Sequence, residues 1–400
     1  MRIMHTGDWH LGKNLEGQSR MDEQEMFLDD FVQIVEKNNV DLVIIAGDIY
    51  DGPNPPARAE RMFYHTLKNI SKQGERLVLV IAGNHDNPER LVAAGPLAME
   101  HGIIMMGTPK TIVPVGQYGQ YEVVDSGEGY FTIEVNGEKA VIVAIPYPSE
   151  KRLNEVIYQD TDEDELKRAS YGERMNQLFR QLEQQYREDT INIMVSHLFV
   201  MGSEESGSER CIQLGGSYLI DSSIFPEKAQ YIALGHVHKP QIVPGTNHRG
   251  RYSGSPLHYN KSEISYQKKL LLADLTVGES QIQEIDIPVY KPIEVWKCHG
   301  VEEAIELCEE KKDIECWVYL EIVTDTFIRE DEIKIMKELK KDILSITPFA
   351  TPMEEQREQH RSFLERSFED IFKEFYQKER GVDVTEETLQ VLLSIVKGDE

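Results

Sequence analysis

Short runs of consecutive apolar residues alternate with longer amphipathic stretches through the first hundred positions. Residues 2–5, 41–46 and 76–82 are rich in Val, Ile and Leu and of strand length, while 21–38 and 56–72 read as helices. That βαβ rhythm implies a largely buried sheet. From about 111 to 147 the pattern turns to strands punctuated by glycine, and Asn136-Gly137 between the runs 130–135 and 139–145 predicts a hairpin. The sheet is therefore expected to become mixed. A polar helix over 160–187 leads to a strand at 191–196, and a Gly/Ser-rich loop at 202–216 leads to another at 230–234. Strands at 270–275 and 280–287 follow.

Near 288–292 the composition shifts. Strands at 293–299, 316–323 and 343–348 enclose helices at 301–311 and 330–340, a small α/β unit in its own right. Beyond Pro352 no strand is expected. Leu364, Phe368, Ile371, Phe372 and Phe375 form one apolar stripe on a helix that Gly381 stops, and Thr385 can cap a second helix carrying Leu389, Leu392, Leu393 and Val396. Periodicity leaves open whether this pair folds back on its own core or docks onto a partner. Three regions are expected: 1–288, 289–350 and 351–400.

A length of 400 residues suits two or three domains, and 40% hydrophobic with 28% charged residues is globular composition. No apolar run reaches the ~18 residues of a membrane helix, so a soluble cytoplasmic protein is expected. Cys211, Cys298, Cys308 and Cys316 show no CxxC spacing and suggest no structural zinc. A net charge of −27 argues against indiscriminate phosphate binding. The acidity is uneven, however: residues 301–400 hold 27 acidic against 14 basic residues, a net of −13, which leaves −14 for the rest. Metal ions among carboxylates also reverse the sign a phosphate meets, so charge alone does not exclude DNA.

The chemistry lies where Asp, His and Asn fall relative to the strands. Asp8-Trp9-His10 follows the first, Gly47-Asp48-Ile49-Tyr50-Asp51 the second and Gly83-Asn84-His85-Asp86 the third, while two later strands end in Ser196-His197 and Gly235-His236-Val237-His238. Each cluster by itself is an ordinary turn or structural polar pair; their conjunction is the signal. In an open α/β sheet ligands collect at the carboxyl ends of strands, so all five can converge on one crevice. Carboxylate, imidazole and amide oxygen without thiolate suit a divalent metal. The donors exceed a single octahedral site, and Asp48, beside Gly47, would bridge two ions roughly 3.5–4 Å apart. Lys13, Arg20, Arg58, Arg61 and Arg90 follow the motif loops and could line a DNA path, although each alone also reads as a solvated charge.

The order D-x-H, GDxxD, GNHD, SH, GHxH resembles the calcineurin-like metallophosphoesterases. The stretches MRIMHTGDWHLGK, AGDIYDGPNPP, VLVIAGNHD, YIALGHVHKPQIV and RYSGSPLHY narrow the resemblance to the SbcD family of nuclease subunits. The likeness is dense over the catalytic half, and the later cap and terminal helix pair occur in the same order. It implies an α/β sandwich of four layers with a mixed sheet core, a small α/β cap that binds DNA, and a C-terminal helical hairpin. It also implies that Asp8, His10, Asp48 and His238 hold one Mn2+ and that Asp48, Asn84, His197 and His236 hold the other, with Mg2+ as an alternative. His85 would be the catalytic histidine that binds no metal. Asp51 stands where the archaeal and eukaryotic branch commonly has histidine, and either orients His85 or ends a turn; Asp86 is read as fixing the loop after Asn84.

No GxxxxGK[ST] loop is present, so ATP dependence must come from a partner, which the resemblance supplies as an SbcC-like ATPase. The C-terminal helices are then its docking module, and the family pattern adds a homodimer within the complex, no membrane, and a cytoplasmic site of action at the nucleoid. The implied activity is Mn2+-dependent hydrolysis of DNA ends, hairpins and single strands in repair, recombination and replication. A stand-alone phosphatase or cyclic-nucleotide phosphodiesterase using the same centre is the first alternative, against which the cap and aromatic tail speak. A scaffold without catalysis is the second, against which the complete ligand set speaks.

Overall fold

In strand β1 (Arg2–Thr6), Ile3 and Met4 are both fully buried yet enter different hydrophobic layers. The computed structural model describes residues 1–135, 137–149, 152, 171–207, 219–350, 372, 376, 384–385 and 388–389. Helix α1 (Met21–Lys37) precedes strand β2 (Leu42–Ala46), and helix α2 (Ala57–Ser71) precedes strand β3 (Leu77–Ile81). Met4, Val43, Ile45, Val78 and Val80 pack against Phe27 and Phe31 of α1 and Phe63 of α2. Their strand neighbours Ile3, Leu42, Ile44, Leu77 and Leu79 turn to the opposite face. Successive side chains alternate faces, so an unbroken apolar run needs cover on both.

The cover on the second face is another sheet. Six strands form the first sheet, in the order Glu279–Asp286, Lys269–Thr276, β1, β2, β3, Ile103–Met106. Its β1, β2, β3 and Ile103–Met106 run parallel, and Lys269–Thr276 is antiparallel to β1. The second sheet has eight strands and includes β4 (Ile191–His197) and β5 (Tyr231–Gly235), which are parallel neighbours. Beyond β4 come Glu138–Ile145 in parallel and then Tyr130–Val135 in antiparallel pairing. Ala140, Ile142, Ala144, Ile191, Ile193, Val195, Tyr231 and Ala233 meet the first sheet's inner face. Val141, Val143, Met194, Ile232 and Leu234 pack on the far side against Met175, Leu178 and Phe179 of helix α3 (Tyr171–Glu183). The layers run helix, sheet, sheet, helix, as expected.

The strands carrying the five clusters are divided between the two sheets. Burial on both faces is legible from an apolar run, but whether a helix or a second sheet provides it is not. The strand Ile103–Met106 and the short helices Pro88–Val92 and Gly95–Glu100 also escaped the sequence pattern, being too brief to show a period. The predicted hairpin forms, with Val135 paired to Glu138 and Gly137 at φ +83°. Residues 160–170 of the expected polar helix lie outside the described residues.

The chain divides into two units, one comprising Met1–Val295, Asp313–Tyr319 and Asp342–Ser345, the other Trp296–Lys312, Leu320–Lys341 and Ile346–Glu400. In the second unit, helices Val301–Glu310 and Glu330–Leu339 bury Ala304, Cys308 and Met336, and Cys298, Leu320 and Ile322 are buried too. Cys298, Cys308 and Cys316 are buried, while Cys211 lies outside the described residues.

Of the C-terminal stripe, Phe372 and Leu389 are described, and Leu364, Phe368, Ile371, Phe375, Leu392, Leu393 and Val396 lie outside the described residues. The Phe372 ring lies 5.8 Å from that of Tyr376. Thr388 N–H donates to Thr385 Oγ1 at 3.4 Å and Leu389 N–H to Thr385 O at 3.0 Å, the geometry of a helix N-cap. No helix among the described residues is long and apolar enough to cross a membrane.

Candidate metal centre

The D-x-H spacing places Trp9 on one side of the loop after β1 and Asp8 and His10 on the other. Trp9 points into the helical layer, its ring 5.9, 5.6 and 6.3 Å from Phe27, Phe31 and Phe63, and its Nε1 donates to Thr6 Oγ1 at 2.9 Å. Anchoring Trp9 there turns Asp8 and His10 together toward the strand ends. Asp8, His10, Asp48 and His236 all adopt positive φ, at 52°, 46°, 50° and 103°. Such backbone costs about 1–3 kcal/mol per residue and persists where surrounding structure imposes it.

Two glycines permit the close approach of these loops. A Cβ on Gly83 would overlap the Asp48 carboxylate, and one on Gly235 would overlap the Ala46 carbonyl. The buried Asp86 carboxylate accepts N–H bonds from Gly83 at 2.9 Å, Ile49 at 3.1 Å and Tyr50 at 3.0 Å, tying the loop after β2 to that after β3.

Around Asp48 the donors gather. Its Oδ2 lies 3.6 Å from His10 Nε2, 3.4 Å from His197 Nε2 and 3.9 Å from His85 Nε2. His10 Nε2 and His238 Nε2 are 3.0 Å apart. On the other side Asn84 Oδ1 lies 2.9 Å from both His197 Nε2 and His236 Nδ1. His197 Nδ1 donates to Ala46 O at 2.8 Å, which aims Nε2 inward, and Asp8 accepts the His236 N–H at 2.9 and 3.0 Å. His85 N–H donates to Asp48 Oδ1 at 2.8 Å, and His85 Nδ1 lies 2.8 Å from Asp51 O.

Among the described residues, three groups have ligand atoms within 4.8 Å of one another: Asp8 with His10 and His238, Asp48 with His197 and His236, and His10 with Asp51 and His85. Carboxylate, imidazole and amide oxygen donors converging without a thiolate fit a divalent cation.

Electrostatics points the same way. Burial pushes the Asp8 carboxyl up to about 7 and the His10 imidazole down to about 3. Burial also opposes charge on Asp48 and His197, but each offsets it for the other: neighbouring imidazoles hold Asp48 well below the usual carboxylate range, and Asp48 with Asp8 raises His197 to about 9. A divalent cation seated here favours the ionised carboxylates directly.

The remaining sequence candidates separate. Lys13 Nζ lies 3.2 Å from Asp51 Oδ1 and 5.5 Å from the Tyr259 ring centroid. Arg58 pairs with Asp22 and Glu25 at 2.6 Å, Arg90 pairs with Glu60 at 2.9 Å, and Arg61 is exposed. Arg20 is a correction: it is 2% exposed, bonded to both oxygens of Glu23 and to His258 O, and so does not line a DNA path. From the sequence it looks like a loop charge, because its partners lie in the next helix turn and 238 residues away. Glu263 and Lys268 were missed. Both are buried behind His238, yet the run NKSEISYQKK reads as a solvated surface loop.

A buried cluster of this composition on a helix-sheet-sheet-helix scaffold defines a metal-dependent phosphoesterase of the calcineurin-like class. The family model described as calcineurin-like phosphoesterase matches residues 1–240, and that described as Type 5 capsule protein repressor C-terminal domain matches 289–380. The SbcD subunit of the nuclease SbcCD from Bacillus subtilis (strain 168) is 38% identical over 403 residues, covering 100% of this chain and 99% of the relative. The same subunit from Rhodobacter capsulatus is 32% identical over 300 residues, covering 73% of this chain and 70% of the relative. The chain therefore belongs to the SbcD family of SbcCD nuclease subunits. Among solved structures, a dimetal phosphatase from Danio rerio is 12% identical with a TM-score of 0.36, covering 72% of this chain and 97% of that one.

Proposed function

We propose that this chain is the nuclease subunit of an SbcCD-like complex, hydrolysing DNA phosphodiesters with two divalent ions, Mn2+ in preference to Mg2+. One observation carries the reading: a single oxygen, Asp48 Oδ2, faces His10 Nε2 at 3.6 Å and His197 Nε2 at 3.4 Å. Asp8, His10, Asp48 and His238 would hold one ion, and Asp48, Asn84, His197 and His236 the other. When bound, the ions supply Lewis-acid stabilisation of the phosphate and activation of water.

The chain itself contributes position and a proton. The Asp51 carbonyl at 2.8 Å fixes the Nδ1 side of His85, leaving Nε2 toward Asp48. A protonated His85 then donates from Nε2 to the scissile phosphate as charge grows on the leaving oxygen. Left-handed backbone at Asp8, His10, Asp48 and His236 holds the donors before substrate arrives.

Residues 1–288 form the nuclease domain in this reading, 289–350 a DNA-binding cap and 351–400 a docking region for an SbcC-like ATPase. The relatives' name, which marks a component of SbcCD, supports the partner. Lys13, Arg58, Arg61 and Arg90 remain candidates for phosphate contact; Arg58 and Arg90 are held by acidic side chains that a phosphate would displace. Action as a homodimer within the complex, at the cytoplasmic nucleoid, completes the proposal.

The test compares hairpin DNA, single-stranded DNA and small phosphoesters, with and without Mn2+ and with and without the coexpressed ATPase. Mn2+-dependent DNA cleavage that Asp48→Asn abolishes, with ATP-stimulated duplex cleavage lost on deleting 355–400, is expected. Hydrolysis of small phosphoesters alone would favour a stand-alone phosphatase.

A further inference from the structure

Behind His238, on the side away from the centre, lies a buried ion pair that hydrolysis by itself does not require. Glu263 belongs to the 3-10 segment Lys261–Ser265, whose start is capped by Asn260 Oδ1 accepting from Ser262 N–H at 3.0 Å. Glu263 Oε1 lies 3.7 Å from His238 Nδ1, the ring nitrogen opposite the Nε2 that faces His10. Lys268 Nζ donates to Glu263 Oε2 at 2.5 Å, to Ser255 Oγ at 2.8 Å and to the main-chain oxygen of His238 at 3.0 Å. Tyr259 N–H and Ser206 Oγ also donate to Glu263, each at 3.3 Å. The lysine thus holds the histidine's backbone, while the carboxylate it pairs with faces the ring. Both residues are almost wholly buried, at 0% and 1% exposure.

A buried ion pair seldom stabilises a fold more than apolar residues of equal volume, so its presence here needs a local reason. Histidines that bind a metal through one nitrogen commonly donate from the other to a carboxylate, which fixes tautomer and ring orientation. We infer that Glu263 and Lys268 are positioning residues that orient His238 for one of the two ions. This rests on the reading of His238 as a ligand, stated above.

The test titrates Mn2+ into the metal-stripped full-length chain, following binding by calorimetry and by Mn2+ electron paramagnetic resonance. Glu263→Gln is expected to weaken one ion 10- to 100-fold and leave the other unchanged. Because a lone buried charge destabilises, the double variant Glu263→Leu with Lys268→Met decides if the single variant folds poorly. That double variant should melt at or above the wild-type temperature and still bind one ion weakly. If it binds both ions as wild type does, the pair serves only the fold and the inference fails. His238→Ala separates the two levels. Loss of one ion there, with wild-type affinity in both Glu263 variants, overturns the inference alone, whereas full affinity in His238→Ala overturns the ligand reading beneath it.

Discussion

The His85 ring is steadied by the main chain of Asp51: its Nδ1 lies 2.8 Å from the Asp51 carbonyl oxygen. The Asp51 carboxylate instead meets Lys13 Nζ at 3.2 Å and lies 3.6 Å from His10 Nδ1. A different side chain at position 51 therefore need not disturb His85, because the contact is to the main chain. His85→Gln should lose roughly 10²–10⁴-fold in cleavage rate with Mn2+ affinity unchanged, the usual worth of a positioned acid-base group. Asp51→Asn keeps the carbonyl and should lose far less. Steady-state kinetics beside metal titration checks both, and a larger loss in the Asp51 variant would give its carboxylate the orienting role.

Gly83 has no room for a methyl group, since its Cβ would meet the Asp48 carboxylate and amide. Gly83→Ala should displace Asp48 and lower kcat/KM by about 10²-fold, the scale of a misplacement near 1 Å. Gly172→Ala, where no atom of the described residues outside its own helix stands within 4 Å, is the matched control and should behave as wild type in kcat/KM.

His197 makes the metal-free protein sensitive to alkali. Its folded-state value of about 9 exceeds the ordinary 6.5, so its contribution is full below pH 6.5 and disappears as pH rises through 9. Its size is at most about 3 kcal/mol. In the acid range the raised Asp8, acting between 3.8 and about 7, opposes the lowered His10, acting between about 3 and 6.5, and the two offset. The melting temperature of metal-stripped protein should therefore fall between pH 6.5 and 9, while Mn2+ affinity rises as the imidazole gives up its proton. Thermal denaturation across that range checks it; the same slope in His197→Asn would assign the titration to another group.

Arg20→Ala should destabilise by about 3–5 kcal/mol, because Glu23 stays buried without its cation, with Trp317 Nε1 at 2.8 Å as its neutral donor. Arg58→Ala removes exposed pairs and should change stability by less than about 1 kcal/mol. Urea denaturation of both variants makes the comparison, and equal stabilities would return Arg20 to the surface.

The limits of β1, β2, β3, α1 and α2 were legible because the three strands are apolar runs flanked by amphipathic helices with clear periodicity. The motif residues were legible too, since Asp, His and Asn immediately after such runs stand at strand ends wherever the sheet is built. Tertiary structure alone decided that β1, β2 and β3 belong to one sheet and β4 and β5 to another, so that His197 meets Asn84 across 113 residues of chain. It also decided that Arg20 turns inward and that Glu263 and Lys268 stand behind His238. The physical reason is common to all three. Local sequence dictates which faces must be covered and where a turn falls, whereas a charged side chain's surroundings depend on partners remote in the chain, and only folding brings those together.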